Sequence, residues 1–210
     1  MHDFSVIMGF MDFVPVAFFG ITALTLLQDL YSKMCKGSYA LLAAGTFNVF
    51  TAGFCKALWK LLYAANICDF QPLGQMFLPL NSLGLLLVGV SLICMLCLKK
   101  KETHILSAAP AVFSGSFVFI MMMVVGLGGI CAVMSILAAK MKKKGIIILF
   151  VLSFIFAMGM GYMSSKDSTL AWVNWVEQGI NTVSQLCLMI GTLTLHKAGL
   201  ADFKLREVMA

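Results

Sequence analysis

Read from end to end, the chain alternates long apolar runs with short polar breaks. The first run covers about Phe10 to Tyr31, with Lys33 and Lys36 after it. The second covers about Ser38 to Ala65 and gives way to Asn66 and Asp69. The third covers about Pro72 to Leu98 and stops at Lys99, Lys100 and Lys101. An uncharged run then extends from Ile105 to Ala139, closed by Lys140, Lys142, Lys143 and Lys144. The last two runs cover Gly145–Met163 and about Leu170–Leu195. About 18 or more consecutive apolar residues is the length of a helical membrane span. These runs are apolar on every side, without the period-two alternation of a transmembrane β-barrel. The pattern predicts an all-α integral membrane protein, with residues 1–210 forming one transmembrane helical domain.

The run 105–139 decides the predicted topology. As one straight helix its 35 residues would reach about 52 Å, against a hydrocarbon core of about 30 Å. Charge gives an independent test. A single crossing would put Lys99–Lys101 and Lys140–Lys144 on opposite sides, against the tendency of basic loops to stay cytoplasmic. Two crossings put both clusters, Lys33, Lys36 and the basic tail on one side. The expectation is therefore a seven-helix bundle with the N-terminus outside and the C-terminus inside. It needs a tight turn around Met121–Gly129, where Gly126, Gly128 and Gly129 offer backbone freedom. The alternative is six helices, one of them long and tilted over 105–139.

A faint internal repeat accompanies the seven-helix layout. Ser32–Gly37 and Lys140–Gly145 are both basic turns that end in glycine and lead into an apolar helix. They suggest repeats over 8–101 and 124–197 joined by a linker helix over 105–122. Two parallel repeats are a known transporter plan. In layout alone this is similar to the three-plus-one-plus-three carriers of sugars and vitamin precursors. No diagnostic motif accompanies that likeness, and a fold analogy does not establish function. Microbial rhodopsins also have seven helices and an outside N-terminus. No lysine lies between Leu170 and Leu195 to form a retinal Schiff base, so nothing is carried over from them.

Composition agrees with the pattern. Of 210 residues, 61% are hydrophobic and 11% charged, against about 25% charged in a soluble domain. The mean hydropathy is +0.98. The net charge of +6 resides in short lysine clusters. It reads as cytoplasmic loops facing anionic lipid, with the bilayer as partner and no nucleic acid. The seven cysteines mostly fall in apolar runs and read as packing residues. No lysine or arginine precedes the first run, so that segment reads as a retained span rather than a cleaved signal. The expected location is the plasma (inner) membrane.

Ionisable residues inside a membrane span are functional candidates by default. The last span carries Asn174, Glu177, Gln178, Asn181 and Gln185 at spacings that put them on one stripe. The second span carries Lys56 and Lys60, four apart and so on one face. Lys56 and Glu177 fall at matching depths and are expected to pair, because a lone buried charge is costly. Lys60 has Asp12 within reach at the start of the first span. The third span adds Gln75, Asn81 and Ser82, with Pro72 and Pro79 loosening the helix. Trp172 and Trp175 suit either an interfacial aromatic belt or a stacking wall at a site entrance.

The candidate solute-binding set is therefore Lys56, Lys60, Gln75, Asn81, Trp172, Trp175, Glu177, Gln178, Asn181 and Gln185. No catalytic, metal-binding or cofactor-binding set is expected. The three histidines are scattered, and no zinc, serine-hydrolase or phosphate-loop motif is present. The leading expectation is a transporter or channel-like carrier of a small polar or anionic solute. The alternative is a non-transporting subunit or sensor whose polar residues only clasp helices. An intramembrane enzyme using Glu177 comes last, because no nucleophile accompanies it. The oligomeric state is not legible.

Overall fold

The computed structural model describes residues 5–97, 116–163 and 171–203. Among them are eight α-helices and no strand. They are α1 (Val6–Met11), α2 (Phe13–Leu30), α3 (Lys36–Ala64), α4 (Gln71–Gln75), α5 (Phe77–Cys97), α6 (Ser116–Lys140), α7 (Ile147–Met163) and α8 (Ala171–Lys197). Four segments are long and apolar enough to cross a membrane: Val6–Leu30, Lys36–Ala64, Gln71–Cys97 and Phe117–Lys140. Helix α7 is apolar but has only 17 residues. Helix α8 has 27, diluted by its polar stripe.

Two of the spans are broken, and proline explains both breaks. Pro15 has no N–H to give to the Met11 carbonyl four residues back, and its ring crowds that carbonyl. The helix accordingly divides at Asp12, between α1 and α2. Pro79 stands in the same relation to Gln75, and the break between α4 and α5 falls at Met76. The loosened helix expected from Pro72 and Pro79 is therefore present.

Helix ends repeat one device. Asn66 and Lys142 have φ of 55° and 59°, and Gly199 has 85°. Each follows a long helix, and the next amide donates back across the last turn: Ile67 to Leu62, Lys143 to Ala138 and Leu200 to Leu195. The left-handed residue satisfies carbonyls that the helix would otherwise leave open.

The turn expected around Met121–Gly129 is not formed. Helix α6 runs unbroken from Ser116 to Lys140, about 37 Å long. The glycines serve packing instead. A Cβ on Gly126 would lie 2.4 Å from the Leu85 carbonyl carbon, and one on Gly89 would lie 2.6 Å from the Gly126 oxygen. Small residues let membrane helices approach backbone to backbone. The described residues thus contain six long helices, not seven. Most of the expected linker, 105–115, lies outside the described residues, and the rest of it, 116–122, belongs to α6.

The six long helices form a closed ring in the order α2, α3, α5, α6, α7, α8. Their directions follow from the contacts. Gln178 meets Met11 and His196 meets Asp29, so α2 and α8 run parallel. Gly45 packs on Gly84, Gly128 on Phe154, and Gly191 on Phe150. Gly126 meets Leu85 and Gly129 meets Ile93, so α5 and α6 also run parallel. Both start at one end of the ring and finish at the other. The 18 residues between Cys97 and Ser116 therefore join opposite ends.

All the described loop lysines gather at one end. Lys33, Lys36, Lys140, Lys142, Lys143, Lys144 and Lys197 lie there, while Asp12 and Asp69 lie at the other. The basic end is tightly packed, with Leu30, Leu92, Leu137, Leu195 and Leu200 fully buried. At the start of the basic tail, Leu200 turns into the core.

Candidate functional site

The site begins with the carbonyl that Pro15 leaves open. Gln178 Nε2 donates to Met11 O at 2.9 Å. A glutamine from α8 thus replaces the amide that proline cannot supply. Beside it, Lys60 Nζ meets Asp12 Oδ2 at 2.9 Å, both side chains more than 90% buried. The expected Lys60–Asp12 pair is present. Asp12 Oδ1 is buried without a hydrogen bond.

Lys56 and Glu177 face the same small cavity of about 40 Å³, with Lys60, Asp12, Gln178 and Asn181 around it. The charges of Lys60, Glu177 and Asp12 all act on the Lys56 ammonium. Its close neighbour, however, is the Phe77 ring, 4.3 Å from Nζ to centroid. The expected pairing of Lys56 with Glu177 is thus a shared cavity rather than a direct bridge.

A larger cavity of about 90 Å³ continues toward mid-bundle. Val16, Gly53, Phe77, Met160 and Asn181 line both, so the two are contiguous. Its walls come from all six long helices, including Phe19, Phe50, Leu127 and Met123. Asn81 from α5 and Asn181 and Gln185 from α8 bring amides into it. Gln185 Oε1 is buried without a hydrogen-bond partner. The third and last long helices each carry an Asn followed by a hydroxyl residue that bonds back to its own helix. Ser82 Oγ donates to Leu78 O at 2.6 Å and Thr182 Oγ1 to Gln178 O at 2.8 Å.

The other predicted site residues are placed elsewhere. Gln75 is exposed at the end of α4 and lines neither cavity. Trp172 and Trp175 are 61% and 42% exposed on the outside of α8, where an aromatic belt residue belongs. Asn174 is buried but lines neither cavity.

Sequence reasoning missed the aromatic walls, since Phe19 and Phe50 look like any other apolar residue in a span. It also missed a clasp at the basic end. His196 Nδ1 lies 2.7 Å from Asp29 Oδ1, a carboxylate only 1% exposed. Nearby, Lys33 Nζ donates to the carbonyls of Ala201 and Phe203, both at 2.7 Å. Burial lowers the Lys33 ammonium pKa, against the attraction of Asp202 and Asp29. Asp29 was the available signal: a carboxylate within the last turn of an apolar helix needs a partner.

Comparison with known proteins gives no match to a protein family, to a curated protein or to a solved structure. The class defined by fold and site is an all-helical protein with apolar helices long enough to span a membrane, around a mostly apolar cavity that a few amide side chains enter.

Proposed function

We propose that the protein is a membrane carrier for a small polar or anionic solute, which binds in the cavity at the centre of the ring. One observation carries the reading: all six long helices contribute walls to a cavity that also holds amides and charged groups. Helix–helix clasps alone would not need a shared central space. The space continues away from the basic end, where Asp29–His196, Lys33 and a leucine layer close the ring. On this reading the carrier opens toward the end opposite the lysines.

The topology we propose has seven passes, with the chain between α5 and α6 returning from one end of the ring to the other. Parallel α5 and α6 support it, as does the placement of Val6 and Lys197 at opposite ends. On this reading α2, α3 and α5 form one repeat and α6, α7 and α8 a second. Gly45 against Gly84 and Ser153 against Ser184 then occupy equivalent places. The basic end faces the cytoplasm of a plasma (inner) membrane.

The test is solute uptake by proteoliposomes, screened over small carboxylates, amino acids, sugars and nucleosides. At least one solute is expected to enter faster than into empty vesicles, with uptake lost in Lys56→Ala and in Gly53→Trp. No uptake across the panel, in protein that remains folded, would overturn the carrier reading. The Lys60–Asp12 pair and the Gln178–Met11 bond favour a second reading, in which the polar groups only clasp helices.

A further inference from the structure

The outer part of the cavity holds four charged groups: Asp12, Lys56, Lys60 and Glu177. Asp12 and Lys60 pair at 2.9 Å. The Lys56 ammonium rests on the Phe77 ring at 4.3 Å, and no carboxylate among the described residues lies within ion-pair distance of it. A ring face attracts a cation but accepts no conventional hydrogen bond. Lys56 therefore brings donors to the cavity that the protein itself does not satisfy, at a position where unsatisfied charge is expensive.

The deep part shows the opposite need. Gln185 Oε1 is a buried acceptor without a donor, on the cavity wall with Asn81 and Asn181. Between the two lie apolar and aromatic walls, chiefly Phe19, Phe50, Phe77 and Leu127. The two needs lie at different depths. Gln185 is eight residues beyond Glu177 on α8, about 12 Å along the axis.

Resting on the carrier reading, we infer that the solute is a small amphiphilic monoanion: a carboxylate at Lys56, an apolar body against the phenylalanines, and a hydroxyl or N–H donor at Gln185. A para-hydroxylated benzoic acid combines these three groups.

The test is isothermal titration of the purified full chain in lipid nanodiscs. The probes are 4-hydroxybenzoate, benzoate, 4-hydroxybenzyl alcohol and 4-hydroxybenzylamine. We expect 4-hydroxybenzoate to bind at least about tenfold more tightly than the alcohol or the amine, a difference of about 1.4 kcal/mol. Lys56→Met should erase the preference for the anion while the alcohol still binds, and Lys56→Arg should restore it. Gln185→Leu should erase the preference for 4-hydroxybenzoate over benzoate. Unfolding temperatures of each variant separate these losses from misfolding. Binding of the alcohol or amine as tightly as the acid would overturn the ligand class and leave the carrier reading standing. So would an anion preference that survives Lys56→Met. If none of the four binds, this inference fails; if the uptake screen is also silent, the carrier reading fails with it.

Discussion

A glycine in a membrane helix has two uses, and Gly126 shows which one operates here. Its sequence neighbourhood suggests a turn, because glycine is the residue that bends most freely. Its place in the bundle is a contact, with α5 backbone where a Cβ would stand. Gly126→Ala is therefore expected to push α5 and α6 apart and to cost about 1–3 kcal/mol. Gly128 is a control on the same helix, since its Cβ would meet the Phe154 ring at an ordinary 3.5 Å. Gly128→Ala should be neutral, or stabilising by up to about 1 kcal/mol through helix propensity. Thermal unfolding in detergent measures both; equal effects would sink the packing argument. The same scale explains the tryptophans. Sequence depth suited Trp172 and Trp175 to an interfacial belt or to a stacking wall at a site entrance, because depth does not report which way a side chain faces; their exposure fits the belt.

At the scale of elements, the break between α1 and α2 ties a local rule to a tertiary contact. Pro15 is legible in the sequence, and so is the carbonyl it orphans at Met11. What the sequence does not reveal is that Gln178, 167 residues away, supplies the missing donor. A double-mutant cycle tests the link. Gln178→Leu should cost about 1 kcal/mol in the parent protein. In a Pro15→Ala background it should cost less, because the restored amide of residue 15 can take over Met11 O. A coupling of about 0.5–1.5 kcal/mol is expected. The same cost in both backgrounds would show that Gln178 does not answer the proline. The polar stripe of α8 was legible for the same physical reason as the break: both follow from fixed helical geometry along one segment.

For the whole molecule the question is which end faces which compartment. Cys35 lies at the basic end and Cys68 is exposed in the loop at the other. Each can be kept as a single cysteine and probed with a membrane-impermeant maleimide. In intact cells Cys68 is expected to react and Cys35 to react only after permeabilisation; the reverse pattern would invert the topology. Cys35 adds a pH signature. Its sulfur lies 3.1 Å from the Ser38 hydroxyl and accepts the Ser38 amide at 3.4 Å. Those bonds lower its pKa from the ordinary thiol value, the hydroxyl contributing most. The reactive species is the thiolate. Labelling of Cys35 in permeabilised cells should therefore rise and level off at lower pH than that of an ordinary thiol. Ser38→Ala should shift that profile upward.

The sequence by itself determined that this chain is a bundle of apolar helices, which end carries the lysines, and which spans hold polar groups. Those properties are local: hydropathy sums along a segment, basic residues collect in loops, and helical spacing assigns a stripe. Only the tertiary structure decided the rest. Helix α6 runs through the expected turn because its glycines have a neighbour to pack against. Lys56 meets an aromatic ring before any carboxylate, although Glu177 shares its depth. Asn81, Asn181 and Gln185 converge across a cavity, while Gln75 and the tryptophans turn away from it. Each of these depends on how helices distant in sequence are rotated and pressed together. That is set by the fit of side chains across the ring, which no single segment contains.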